Sequence, residues 1–232
     1  MVEQIFTFWE GELPEYIKLC MSTWKFPYTL LNYSNLQDYT DFDIKRAKRF
    51  SLPQIADCVR VHVLRDNGGY WFDTDTIMIN QKLPEANVLG DPKDRSHTIG
   101  YLRTEKDSDM YCKWAEYQDK VIADPNSTYH WSVMGNAFTD KYVWEHRDII
   151  VDSVMPMHPE EVMAIEDVSH KKKYKKFYFE EQYSLKDLPK TNMLMLHNSW
   201  TPMWYKLLKK DDILSNTCTL SNILREVLSK DD

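Results

Sequence analysis

Asp73 and Asp75 are the residues best placed to do chemistry in this chain, one residue apart in "RDNGGYWFDTDTIMI" (65–79). D-x-D alone discriminates poorly, because "DFD" (41–43) and "DSD" (107–109) also occur, in polar stretches that suit solvated surface charge. The flanks separate the three. "YWF" and "TIMI" bracket Asp73 and Asp75, and the period-2 geometry of a strand would put both carboxylates on one side, with Thr74 opposite. Two like charges buried together are costly unless a cation lies between them, and an all-oxygen set favours Mg²⁺ or Mn²⁺. In an open parallel sheet, such a pair would sit beyond the carboxyl ends of the strands, where ligands bind. The alternative is an ordinary pair of loop aspartates just past a strand end.

The elements that must position this pair follow from periodicity. "QIFTFW" (4–9) reads as a strand, "LPEYIKLCMSTW" as a helix with Pro14 in its first turn, and "YTLLNY" (28–33) as a second strand. Leu52, Ile55, Ala56, Val59 and Val63 mark a helix face stopped by "DNGG", where two of only six glycines stand together ahead of the aspartate-bearing strand. This alternation predicts an α/β fold with a mostly parallel sheet flanked by helices. From 84 to about 160 the pattern is less periodic, broken by Pro84, Pro92, Pro125, Pro156 and Pro159, and is expected to be a helical insertion forming one wall of a site. "NMLMLHNSW" (192–200) reads as a buried strand running into a loop. Leu220, Ile223, Leu224, Val227 and Leu228 give a helical tail packed on the core or on a partner subunit. One domain is expected over 1–232, with a nucleotide-binding half at 1–83, an acceptor and donor-sugar region at 84–190, and a lid and tail at 191–232.

Composition narrows the function classes. The 232 residues carry a net charge of −7, which disfavours nucleic acid as a partner. Four widely spaced cysteines, with no CxxC pair, suit idle thiols in a reducing compartment better than zinc or a disulfide framework. "MVEQIFTFWEGE" lacks a basic n-region, and no apolar run reaches the roughly 18 residues of a membrane span, so a cytoplasmic location is expected. "HKKKYKK" (170–176) and "WTPMWYKLLKK" (200–210) combine lysines with aromatics. They suit either a solvated face or a peripheral contact with anionic headgroups, or with a lipid-linked diphosphate, on the inner face of the plasma membrane.

Three metal-site readings compete for Asp73 and Asp75. An EF-hand loop fails, because its sixth and twelfth positions fall on Met78 and Pro84. "FDTDT" is similar to the DxDxT of haloacid-dehalogenase-type phosphohydrolases, but the late acidic pair that family needs is offered only by Asp211–Asp212, after the helical, basic "WYKLLKK". The third reading is a metal clamp on a nucleotide diphosphate. "ADCVRVHVLRDNGGYWFDTD" resembles the block A-x-D-x-x-R-x-x-x-L-x-x-x-G-G-x-y-x-D-x-D of glycosyltransferase family 32, with Ala56, Asp57, Arg60, Leu64, Gly68, Gly69, Trp71, Asp73 and Asp75 matching in type or nearly so. The family's spacing between Ala and Asp usually differs slightly. "IFTFWEGELP" supplies the family's aromatic and glycine as Trp9 and Gly11, with Thr7 in place of the usual His. "LHNSW" gives a compressed form of its closing H-x-x-x-S-W. The resemblance covers about 4–80 and 192–204; the centre and tail match poorly.

The resemblance implies a GT-A (Rossmann-like) fold and a retaining transferase. Such an enzyme would move a hexose, of galactose or glucose type, from a UDP-sugar to a glycan or lipid-linked oligosaccharide in bacterial surface polysaccharide assembly, with Mn²⁺ or Mg²⁺ as cofactor. It implies Asp75 as the main metal ligand, Asp73 on metal or ribose, and His197 as a third ligand, for which a core histidine is the bland alternative. Asp57 and Arg60 would pair, with Arg60 reaching donor oxygens. Trp9 would stack on uracil, and Trp71 would seat the strand and, with Asp57, belong to the nucleotide-sugar site. Asn198, Ser199 and Trp200 would close over the diphosphate, and Asn136 of "MGNAFTD" would line the acceptor side. No nucleophile follows from the sequence. A non-catalytic sugar-nucleotide binding module is the remaining alternative.

Overall fold

A computed structural model describes residues 4–91, 95–127, 130–146, 151–152, 158–163, 165 and 168–231. Pro92 and Pro156, expected as breaks, lie outside them. The chain begins β1 (Ile5–Phe8), α1 (Glu15–Ser22), β2 (Tyr28–Leu31), α2 (Leu52–Asn67), β3 (Gly69–Phe72) and β4 (Thr76–Met78). It continues through β5 (Val88–Asp91), β6 (Ser96–Thr104), α3 (Asp109–Ala123), α4 (Asn136–Glu145) and β7 (Val151–Asp152). Then follow α5 (Pro159–Val162), α6 (His170–Lys175), β8 (Met193–Met195), α7 (Met203–Lys206), α8 (Lys210–Ser215) and α9 (Thr219–Leu228). The contacts group these into two units. One comprises 1–10, 27–73 and 84–153, the other 11–26, 74–83 and 154–232.

The first unit is built on a six-stranded sheet of order β2-β1-β3-β6-β5-β7. Pairs β1–β2, β1–β3 and β5–β7 are parallel, while β6 runs antiparallel to both its neighbours. This is the expected mostly parallel α/β sheet, with helices packed on it. Helix α2 starts at a capping box in which the Ser51 N–H donates to the Gln54 side chain at 3.0 Å. It ends at Gly68, whose φ of +70° and N–H to the Leu64 carbonyl stop the helix. Gly69 has φ +93°, and a Cβ there would overlap the Gln4 carbonyl, the same oxygen that accepts the Tyr70 N–H at 2.9 Å. A Cβ on Gly68 would likewise lie 2.6 Å from the Lys106 backbone nitrogen, so two successive positive-φ residues, each with a close backbone approach, require the Gly-Gly pair. Trp71 and Phe72 are then buried in the sheet.

The 84–160 stretch is more than an insertion. It supplies β5, β6 and β7, half of the sheet's six strands, together with α3 and α4. The polar residues of "SHTIGYLRT" hide the strand periodicity of β6.

In the second unit β4 and β8 form a two-stranded antiparallel ladder, with Thr76 opposite Met195. The end of α1 fixes β4. The Trp24 indole N–H donates to the Thr76 carbonyl at 2.8 Å, and the Met78 N–H donates to the Thr23 hydroxyl at 2.8 Å. Tyr16, Tyr174, Phe177, Tyr178 and Tyr205 are buried, and α9 buries Leu220, Ile223, Leu224 and Val227, the expected stripe. In the "HKKKYKK" segment Tyr174 is fully buried while Lys171 and Lys172 are exposed.

Strand β3 ends at Phe72 and β4 begins at Thr76, so the aspartates lie on a turn between two strands and not within one. The two-residue period therefore does not set their directions. Each carboxylate is placed by its own partners.

Candidate active site

Asp57 and Arg60 lie one turn apart on α2 and form a buried pair in the first unit, not the surface i,i+3 contact that is its bland alternative. Arg60 Nη2 is 3.1 Å from Asp57 Oδ1 and 3.1 Å from Asp73 Oδ1, while Nη1 donates to the Ile99 carbonyl. The guanidinium carbon sits 5.3 Å from the centre of the Trp71 ring, whose indole N–H donates to Asp73 Oδ1 at 2.9 Å. Both Nη atoms of Arg60 are thus engaged by protein, and its side chain is only 6% exposed. Arg60 fixes the Asp73 carboxylate, which is 35% exposed and keeps Oδ2 for other partners.

Burial pushes the Asp57 carboxyl up to about 7; Arg60 opposes the rise and the Asp73 charge adds to it. Around Asp57 the packing is tight. Gln118 donates to its backbone carbonyl at 3.0 Å, and a Cβ on Gly135 would overlap Ile99 and lie 3.1 Å from Asp57 Oδ2. Asn136 opens α4 immediately after that glycine and is half-buried. Trp9 follows β1, half-buried, with its N–H on the Leu31 carbonyl at 3.0 Å.

In the second unit, Asp75 prolongs the β4–β8 ladder: its backbone carbonyl accepts the Leu196 N–H at 3.3 Å, and its Oδ2 accepts the Asn198 N–H at 2.8 Å. The Asn198 side-chain oxygen in turn accepts a hydrogen bond from the Tyr16 hydroxyl. The "HNSW" segment is a turn, with the Trp200 N–H on the His197 carbonyl at 2.8 Å, the Trp200 and His197 rings 4.0 Å apart, and Ser199 exposed. Asp75 is 8% exposed. Asp75 presents carboxylate oxygens, the donor type that a hard divalent ion takes.

His197 stacks on His158 with ring centres 5.0 Å apart and planes within 6°. With Glu160 they form a group whose ligand atoms all lie within 4.8 Å of one another. Burial lowers both imidazoles to about 4 and raises Glu160 to about 8. His158, Glu160 and Tyr16 escape sequence reasoning. The H-x-E spacing of 158–160 is a detectable signal, but its nearness to His197 is purely tertiary.

The family model for capsular polysaccharide synthesis proteins matches residues 1–217. The chain belongs to that family. This capsular polysaccharide synthesis protein thus has the expected setting of polysaccharide synthesis; assignment to family 32 and to D-x-D donor chemistry is finer than the membership. No curated protein matches its sequence. Among solved structures, it is similar to PaToxG glycosyltransferase at 14% identity, over 62% of this chain and 68% of that one, with a TM-score of 0.42. It is also similar to the apo form of the glycosyltransferase GlyE in Streptococcus pneumoniae TIGR4, at 12% identity over 100% of this chain and 64% of that one, with a TM-score of 0.43. At those scores the two likenesses carry no part of the assignment. Among the described residues no helix is long and apolar enough to cross a membrane.

Proposed function

We propose that this protein is a metal-dependent retaining glycosyltransferase of the GT-A type that moves a hexose from a UDP-sugar to a glycan or lipid-linked acceptor during capsule assembly. The observation that carries the reading is the Asp57–Arg60–Asp73 network. Two carboxylates of the block that resembles family 32, Asp57 and Asp73, converge on the one buried guanidinium of Arg60, in a member of a capsular polysaccharide synthesis family. A merely structural ion pair does not need a second carboxylate held by both an arginine and an indole at the edge of solvent.

In this reading Asp75 is the principal ligand for Mn²⁺ or Mg²⁺, oriented by the Asn198 N–H. The bound ion would supply positive charge against the leaving UDP. Asp73 presents its second carboxylate oxygen to the donor, and Arg60 is a positioning residue that holds it there, with Asp57 behind. Trp9 offers an aromatic face for uracil. Asn198 and Trp200 set the turn that exposes the Ser199 hydroxyl for hydrogen bonding to the diphosphate, and Asn136 faces the acceptor. Front-face attack guided by the leaving phosphate needs no protein nucleophile.

The test is UDP release from a panel of UDP-hexoses, with Mn²⁺ and with chelator. Metal-dependent release that Asp75→Asn removes supports the reading. No release from any UDP-sugar in the presence of metal, or full activity in Asp75→Asn, overturns it.

A further inference from the structure

Glu160 is a fully buried carboxylate for which the described residues supply no hydrogen-bond donor of good geometry to either oxygen. The buried Tyr178 hydroxyl is its polar neighbour, and among the described residues it makes no hydrogen bond of good geometry. His158 Nδ1 lies 3.8 Å from Glu160 Oε1 and is likewise unpartnered. The His158 ring bonds to the Met195 backbone, which leaves Nδ1 as the nitrogen directed at Glu160. A ring nitrogen tied to a backbone carbonyl, with the other left bare, is how metal-ligating histidines are oriented. His197 closes the group from the far end of β8, its ring parallel to that of His158.

We infer that His158, Glu160 and His197 form a second cation site, for a borderline transition metal of the Zn²⁺ class, separate in its ligands from Asp75. Two imidazoles and one carboxylate suit zinc, cobalt or manganese better than magnesium or calcium, which prefer oxygen alone. Ligands at about 2.1 Å from a tetrahedral ion stand about 3.4 Å from one another, so the 4.8 Å group closes by side-chain rotation without backbone movement. Three protein ligands leave a fourth position for water or an exogenous ligand. The ion satisfies the buried Glu160 charge and joins the start of α5 to the turn that carries Trp200. This assignment draws His197 away from Asp75, and it holds or fails independently of the sugar-nucleotide reading, because it needs no nucleotide.

The test is titration of the metal-free full chain with Co²⁺ in the absence of nucleotide, followed by the visible d–d bands and by displacement with Zn²⁺. One equivalent should bind with the intense bands of a four-coordinate site. Glu160→Gln and His158→Gln should each weaken binding at least tenfold with an unchanged far-ultraviolet circular dichroism spectrum, while Asp75→Asn retains the bands. X-ray absorption of the zinc-loaded wild-type chain, which needs no variant, should show two imidazoles and at least one oxygen. No Co²⁺ bound, an oxygen-only shell, or bands lost in Asp75→Asn but kept in Glu160→Gln would each overturn the site.

Discussion

Replacing Arg60 with methionine keeps most of the apolar stem over Trp71 but removes the charge that holds Asp57 and Asp73. Asp57 is the carboxylate with the most at stake. It is 9% exposed, and its Oδ1 partner is that guanidinium at 3.1 Å. Removing one member of a buried pair costs up to about 3–5 kcal/mol where the survivor is left charged and desolvated, and less where Asp57 holds its proton. Asp73, at 35% exposed, is partly served by water and adds little. The cost depends on pH, and the sign is fixed. In the wild type the folded Asp57 holds its proton up to about pH 7 against about 3.9 unfolded. The stability from that proton is fully present below about pH 4 and is lost as pH rises to about 7. Without Arg60 the folded value rises further, so the variant continues to lose stability above pH 7, where the wild type has stopped, by up to about 1.4 kcal/mol per pH unit. Urea unfolding of both proteins at pH 6.5 and 8.5 measures this. The destabilisation should be larger at pH 8.5 by up to roughly 2–3 kcal/mol, and Asp57→Asn in the same chain should recover most of it. A loss below about 1 kcal/mol that is equal at both pH values would refute the buried-pair argument.

Other outcomes follow from individual contacts. Gly69→Ala should destabilise the chain by about 1–3 kcal/mol, since it forces a side chain into φ +93° against the Gln4 carbonyl; an unchanged denaturation midpoint would contradict that geometry. Tyr16→Phe removes the hydroxyl that orients Asn198, so donor KM should rise several-fold with little change in thermal stability, and equal donor KM would show that Asn198 needs no such support. Met203, Trp204 and Leu207 are exposed beside Lys206 and Lys209. Vesicles rich in anionic lipid should therefore co-sediment the protein, and charge reversal across Lys171–Lys176 together with Leu207→Glu should release it; retention of that variant would exclude this surface. Product-anomer analysis by NMR should show the donor's configuration kept, and inversion would remove the retaining assignment.

Much of the first unit is legible in local pattern. The apolar face of α2, the Gly68–Gly69 stop and the buried Trp71–Phe72 follow from spacing and from the conformational freedom of glycine, and the α9 stripe follows from helical period. What was hidden is non-local. β6 pairs with β3 and β5 through backbone hydrogen bonds that its mixed polar side chains do not reveal. "YWFDTDTIMI" looks like one strand because its residues are apolar throughout, yet it divides at the turn, where Asp73 answers to Arg60 and Asp75 to Asn198. Pairing of Asp57 with Arg60 was readable from one helical turn; that both are buried, and that Asp73 joins them, required the sheet. His158 and Glu160 meet His197 across nearly 40 residues, a distance no motif spacing encodes.

The most direct test of the account is calorimetric binding of UDP to the wild-type chain and to Asp75→Asn, each with Mn²⁺ and with chelator. The account predicts binding by the wild type that requires the metal and is lost in the variant. Equal binding with and without metal, or no binding of UDP by the wild type under either condition, would contradict it.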